Sequence, residues 1–196
     1  MPHLVLASAS PARLATLRSA GVEPEVIVSG VDETQVDGLP PAELALQLAE
    51  LKAAAVAARL AGETLVLGCD SVLELEGVAL GKPDDAADAV ARWRAMRGRS
   101  GVLHTGHALH DLGSGRIAAA TASTVVHFAE VTDDEIAAYV ATGEPLAVAG
   151  AFTVDGLGGA FVTHIEGDHH NVVGLSLPLL RELLAELGRS WVDLWP

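Results

Sequence analysis

A short apolar run, Leu4-Val5-Leu6, stops at two small hydroxyl residues, Ser8 and Ser10, and gives way to Pro11, Arg13 and an apolar-periodic stretch ending near Gly21. The pattern predicts a strand over about 4–7 feeding straight into a helix over about 11–20. Ser10 serves as its N-cap, Pro11 takes the first helical position and Gly21 closes it. At this corner backbone N–H groups, hydroxyls and a cation converge where the helix dipole favours negative charge, which suits a phosphate. The glycines of a Walker loop are absent, so the corner is not of that type.

The rest of the chain extends the same alternation. EVIVS predicts a strand over about 25–29, and an alanine-rich helix runs from about 41 to 60. TLVLGCDSVLELEG reads as a long strand broken near Gly68 and turning at Gly77, followed after GKP by a helix over about 84–97. GVLHTGHALHDL and RIAAATASTVVHF, joined by Gly113-Ser114-Gly115, predict an antiparallel hairpin. Thr132 and Glu135 form a capping box for a helix over about 133–142. The glycine-rich stretch 149–174 is expected to hold two short strands, and a last helix covers about 177–187. Parallel crossovers early and a hairpin later imply an α/β fold, a mixed sheet with flanking helices.

Size and charge narrow the function. Half of the 196 residues are hydrophobic, enough for the core of one large or two-lobed domain spanning 1–196. No stretch reaches the roughly 18 to 20 apolar residues of a membrane span, and no secretory signal is evident. A single cysteine, Cys69, excludes an internal disulfide framework and agrees with a reducing cytoplasm. The net charge of −14 argues against nucleic-acid polymers and anionic membranes as partners, leaving a small anion in a local basic pocket. Ten of the twelve cations are arginines; the lysines are Lys52 and Lys82 alone, at places where a compact charge on a flexible stem is useful.

Further pieces look chemical. Asp32 and Glu33 follow EVIVS, Asp70 follows the apolar run LVLGC, Lys52 lies on the long helix, and Lys82 sits in LGKP. Ligands in α/β sheets bind beyond strand ends. Carboxylates from separate strands can share a divalent cation, while Lys and Arg neutralise phosphate oxygens. Glu33 and Asp70 would hold metal or activate water, and Arg13, Lys52 and Lys82 would absorb charge on a leaving group. Each piece alone has a plainer reading as a turn, a cap or a solvated loop residue. Their combination carries the expectation.

Together LVLASASPARLATLRSAG, VDE, LALQLAELKAAAVA, VLGCDSVLELEGVALGKP and EIAAYVATGEPLAVAGAF with the segments after it resemble the Maf family, in order, from Leu4 to about Leu187. The resemblance implies an elongated fold related to inosine triphosphate pyrophosphatases, two lobes around a cleft. It implies hydrolysis of a nucleoside triphosphate, standard or modified, to monophosphate and pyrophosphate with a divalent metal, Mg²⁺ or Mn²⁺, and it allows a homodimer. The family's proton-accepting aspartate falls on Asp70, and its other polar cleft residues fall on Ser8, Arg13, Glu33, Lys52 and Lys82. Ser10 joins them at the helix mouth.

The chain departs from two family branches at the positions the resemblance makes specificity-determining. SPRR or SPWR becomes SPAR with Ala12, Thr or Gln beside the aspartate becomes Ser71, and Gln or Glu becomes Asp155. An ionised Asp155 only accepts hydrogen bonds, which suits the N1–H and N2–H₂ edge of guanine, and Ala12 leaves room for a larger base. A second reading is a nucleotide-binding regulator of cell division without significant turnover; a third is a phosphohydrolase releasing orthophosphate. Cys69 is expected to pack rather than react. Of His104, His107 and His110, only the outer two share a strand face, about 20 Å apart and too distant for one zinc. His169-His170 is either a substrate contact or an exposed pair, and the tail SWVDLWP docks on the body or at an interface.

Overall fold

The computed structural model describes residues 3–36 and 38–196. Among them, β1 (His3–Leu6), β2 (Glu25–Val26), β3 (Thr64–Leu75), β4 (Val78–Leu80), β5 (Ser100–Asp111), β6 (Arg116–Phe128) and β7 (Val162–Glu166) form one sheet. The order is β2-β1-β3-β5-β6-β7, with β4 attached to β3. β1 runs parallel to both its neighbours, and the remaining pairs are antiparallel. The crossovers carry α1 (Pro11–Ser19) and α2 (Pro41–Ala57); α3 (Ala86–Met96), α4 (Asp133–Ala141), α5 (His169–Val173) and α6 (Leu177–Glu186) follow. The mixed α/β sheet with flanking helices is what the sequence predicts. No helix among these residues is long and apolar enough to cross a membrane.

The long strand β3 organises the fold. One side pairs with β5 from Leu65 to Glu74. On the other side β1 pairs with residues 64–67 and β4 with 73–75, and the amide of Ala7 closes on the Leu67 carbonyl at 2.8 Å. Between these two partners, residues 68–72 present an edge with no strand beside it among the described residues. Gly68 is not the expected break, because it stays in register opposite Ala108. A Cβ there would lie 2.3 Å from the Ala49 carbonyl oxygen, and one at Gly106 would lie 2.2 Å from that of Ala45. Ala45, Ala49 and Ala53, one row of α2 and all fully buried, therefore press the helix backbone onto the sheet.

The opposite face of β3 is divided between two cores. Leu65, Leu67 and Cys69 pack with Leu4, Leu6 and Leu17 and with the leucines of α6. Leu73 and Leu75 pack with Trp93, Met96, Phe128, Tyr139 and Phe152. Trp93 centres the second core, edge-on to Phe128, Tyr139 and Phe161 at 5.8, 5.5 and 5.7 Å, with its indole N–H donating to the Ala151 carbonyl. The changeover lies at the same residues where the strand edge is open.

Two expectations need correction. The second strand ends at Val26, and stretch 149–174 contributes one strand, β7, rather than two. Its other residues form short 3₁₀ turns and α5, since Gly150 adopts a positive φ of 69° and donates to the Gly81 carbonyl outside any ladder. The tail docks on the body: Trp191 packs on the first core, and the Trp195 indole donates to the Ala20 carbonyl at 3.0 Å.

Adding one methyl at Gly106 should force α2 off the sheet. Gly106→Ala is expected to destabilise the fold by about 1–3 kcal/mol, read as a lower urea midpoint at unchanged slope.

Candidate active site

The open edge of β3 is the floor of a cleft of about 760 Å³. Successive residues of a strand point to opposite faces, yet both Asp70 and Ser71 line this cavity. A single cavity can meet both only by wrapping around an edge that no neighbouring strand covers. Asp70 then faces α2, and Ser71 faces α1.

On the α1 side, Ser10 caps the helix by accepting from the Arg13 amide, and Pro11 follows, as expected. Arg13 is buried, and each nitrogen of its fork makes one hydrogen bond. Nε donates to the Gly174 carbonyl at 2.7 Å, Nη1 to Ser8 Oγ at 3.0 Å, and Nη2 to Ser71 Oγ at 3.0 Å. Ser8 Oγ also accepts from the Ser10 amide, so its own O–H remains to be given to a ligand oxygen. Ser71 is in the reverse state. Thr105 donates to the Asn171 carbonyl at 3.2 Å, so in the 2.9 Å pair between the two hydroxyls Ser71 is the donor. Having spent its proton and accepted from Arg13, Ser71 offers the cleft a lone pair only.

On the α2 side, Lys52 stands between two acids. Its Nζ lies 2.6 Å from Glu33 Oε1 and is hydrogen-bonded to Asp70 Oδ1. Glu33 opens a 3₁₀ turn that Asp32 caps through the Thr34 amide. Burial pushes the Asp70 carboxyl above the usual carboxylate range; Lys52 and then Arg13 pull it back, and Glu33 adds to the rise.

Lys82 and Asp155 line the far wall with Thr153. Both Lys82 and Asp155 are exposed. Thr153 donates to Glu144 Oε1 at 2.5 Å, and the same carboxylate accepts from Tyr139 Oη and from the amides of Leu157 and Gly158. Burial alone would raise the Glu144 carboxyl, but these donors lower it to about 2. Glu144 thereby fixes the loop that carries Asp155. Ser8, Ser10, Ala12, Arg13, Glu33, Lys52, Asp70, Ser71, Lys82 and Asp155 all border the one cleft, whereas Asp32 is outside its lining and serves as the cap of the Glu33 turn. Thr105, Asn171, Gly174, Glu144 and Thr153 were not singled out. They act through backbone atoms or through one another, and only the TGEP segment around Glu144 could have drawn notice.

The cleft's charges bear on a metal. Arg13, Lys52 and Lys82 are matched one for one by Glu33, Asp70 and Asp155 among its lining residues, so the cavity offers a polyphosphate no excess of formal positive charge. Glu33 and Asp70 converge on one point and are hard oxygen donors, the set Mg²⁺ or Mn²⁺ takes together with substrate phosphates. The residues fit a divalent cation.

Other candidates lie elsewhere. Cys69 is fully buried, and burial pushes its thiol up to about 12, which suits packing rather than attack. His107 is buried and lowered by that burial to about 4. Its Nε2 accepts from the Ser176 amide at 2.8 Å, so the proton sits on Nδ1, facing the Thr105 carbonyl. His104 bonds Glu74 and Ser123. His169 and His170 are exposed in α5 and outside the cleft lining.

The family model described as Maf-like protein matches residues 3–187. A nucleoside triphosphate pyrophosphatase of Streptomyces coelicolor is 65% identical over 194 residues, covering 98% of this chain and 94% of that one. Another from Salinispora tropica is 65% identical, covering 98% and 87%, and one from Nostoc punctiforme is 52% identical, covering 100% and 98%. A solved nucleoside-triphosphatase / dITP/XTP pyrophosphatase of Mycobacterium abscessus overlaps 66% of this chain and 75% of that one at 18% identity and a TM-score of 0.41.

Lys52→Met removes the charge that restrains Asp70, so its carboxyl should titrate at higher pH than in the parent protein. Carboxyl ¹³C shifts followed against pH read this directly; an unmoved or lowered midpoint would show that Lys52 does not govern Asp70.

Proposed function

The chain belongs to the Maf-like protein family, and we propose that it is a metal-dependent nucleoside triphosphate pyrophosphatase cleaving between the α- and β-phosphates. The observation that carries this reading is the convergence of Glu33, Lys52 and Asp70 on one wall, with Arg13 and Lys82 lining the same cleft.

Asp70 accepts a proton from a water molecule as that water's oxygen forms a bond to the α-phosphorus. The bond from the α-phosphorus to the bridging oxygen breaks, and pyrophosphate leaves with the electron pair. Lys52 and Lys82 take up the charge that develops on the departing phosphates. Arg13 shapes the pocket through its fixed bonds to Ser8 and Ser71, with its remaining N–H groups available to phosphate oxygens. The O–H groups of Ser8 and Ser10 complete the phosphate contacts at the mouth of α1. Glu33 and Asp70 would hold a divalent cation, which would supply the positive charge by which the balanced cleft falls short.

The base wall supports a purine with donors on its pairing edge. Ser71 and Thr153 both spend their protons inside the protein, and Asp155, when ionised, has none to give. Three acceptors and no donor suit the N1–H and N2–H₂ of guanine. Uracil and thymine present only N3–H on that edge and leave two of the three acceptors unfilled.

Asp70→Asn is expected to lower kcat by about 10²-fold or more while retaining the circular dichroism spectrum of the parent, with monophosphate and pyrophosphate the products resolved by chromatography. Nucleotide binding without turnover would leave the regulator reading standing, and orthophosphate as first product the phosphomonoester one. In a panel of GTP, 7-methyl-GTP, ATP, UTP, dTTP and CTP with Mg²⁺ or Mn²⁺, a guanine nucleotide should give the highest kcat/KM; a pyrimidine in first place removes the base assignment.

A further inference from the structure

Lys82 reaches the cleft from an exposed loop, and among the described residues no carboxylate pairs with it. Its four-carbon stem is flexible, so the position of its ammonium depends on where its backbone is held. That backbone is fastened from outside the cleft. Arg92, on α3, donates from Nη1 to the Gly81 carbonyl at 2.7 Å and from Nη2 to the Lys82 carbonyl at 3.3 Å. The guanidinium is itself anchored one turn back on the same helix, with Nη2 2.6 Å from Asp88 Oδ2. Asp88 Oδ2 also accepts from the Asp84 amide, so the pair grips the loop at both ends of Gly81–Asp84.

The Gly81 carbonyl has a second donor, the Gly150 amide at 3.0 Å. Gly150 precedes Ala151 and Phe152 in the segment that continues to Thr153 and Asp155. One carbonyl thus ties the Lys82 loop to the base wall, and Arg92 completes its hydrogen bonding. The Arg92 side chain is 14% exposed, its Nε is buried without a partner, and it does not line the cleft. It cannot touch substrate.

We propose that Arg92 is a positioning residue, a strut from α3 that holds the Gly81-Lys82 backbone so that the Lys82 ammonium meets the phosphates. The proposal rests on the reading of Lys82 as a phosphate contact. A planar fork spanning two carbonyls is what the geometry uses, and an ammonium on the same stem cannot reproduce it.

The test is a double-mutant cycle on the full chain, read by calorimetric affinity for inorganic pyrophosphate and by KM and kcat for the triphosphate turned over fastest. Lys82→Ala should weaken pyrophosphate binding by about tenfold, and Arg92→Ala by a comparable factor. The double variant should be no weaker than Lys82→Ala alone, because the strut acts only through Lys82. Because Lys82 meets charge that grows on the departing phosphates, Arg92→Ala should lower kcat/KM by the same factor as Lys82→Ala and divide that loss between KM and kcat in the same proportion, and Arg92→Lys should recover only part of the affinity. Parental binding by Arg92→Ala beside a weakened Lys82→Ala overturns the strut and leaves the pyrophosphatase reading intact. So do losses that multiply in the double variant, since they mark a general loosening. Parental binding by Lys82→Ala overturns both the strut and the role of Lys82. If Arg92→Ala does not fold, Asp88→Asn, which removes the anchor, carries the same cycle with the same criteria.

Discussion

The five residues of β3 that lack a strand on one side are the feature from which the rest of this architecture follows. A sheet edge left open in the middle of a molecule exposes polar backbone, which must meet solvent, a side chain or a ligand. Here β1 and β4 stop on either side of the gap, and the two hydrophobic cores change over at the same place. The cleft is the necessary result. It also lets two cavity residues be neighbours in sequence. Asp70 and Ser71 point to opposite faces of the sheet and border one cleft around the bare edge.

Charges buried at such an edge need partners, and the two faces supply them differently. On one, Arg13 is locked by Gly174, Ser8 and Ser71, an arrangement that no ligand need disturb. On the other, Lys52 is held by two carboxylates. Replacing a buried ion pair such as Lys52–Asp70 with apolar side chains is often neutral or stabilising, and a pair with an exposed acid such as Glu33 adds little, so the triad is poorly explained as a stability device. It is better understood as a set of ions awaiting others. An incoming phosphate can take the ammonium, and a divalent cation the carboxylates, without leaving any charge unpaired.

Much of this was legible in the sequence because it rests on local rules. Ser10, Pro11, Thr132 and Glu135 announce helix ends through chemistry that acts over three or four residues, and the structure forms each cap where the sequence puts it. Asp70 and Glu33 stood out as acids beyond apolar runs. Gly68 misled because a glycine that breaks a strand and one that admits a helix look alike in sequence; only the approach of Ala49 distinguishes them. The loops between Ala149 and Gly174 were illegible for a related reason. Their course is set by Glu144 and Trp93, which bind backbone groups of that stretch from elsewhere in the chain. Side-chain bonds to backbone atoms remote in the chain, unlike those of a cap, leave no local pattern of residue types to read.

That last point also accounts for the lopsided use of cations. Arg13, Arg59, Arg92 and Arg116 each donate to main-chain carbonyls, those of Gly174, of Val28 and Ser29, of Gly81 and Lys82, and of Glu186. A guanidinium spreads its donors in a rigid plane and suits fixed targets; an ammonium is a compact charge that turns freely on its stem. Three of these four arginines fasten segments that border the cleft, Val28-Ser29, Gly81-Lys82 and Gly174, and both lysines face into it. The division follows from geometry: wall segments are fixed by planar forks that match main-chain carbonyls, and the two compact point charges project into the cavity those forks shape.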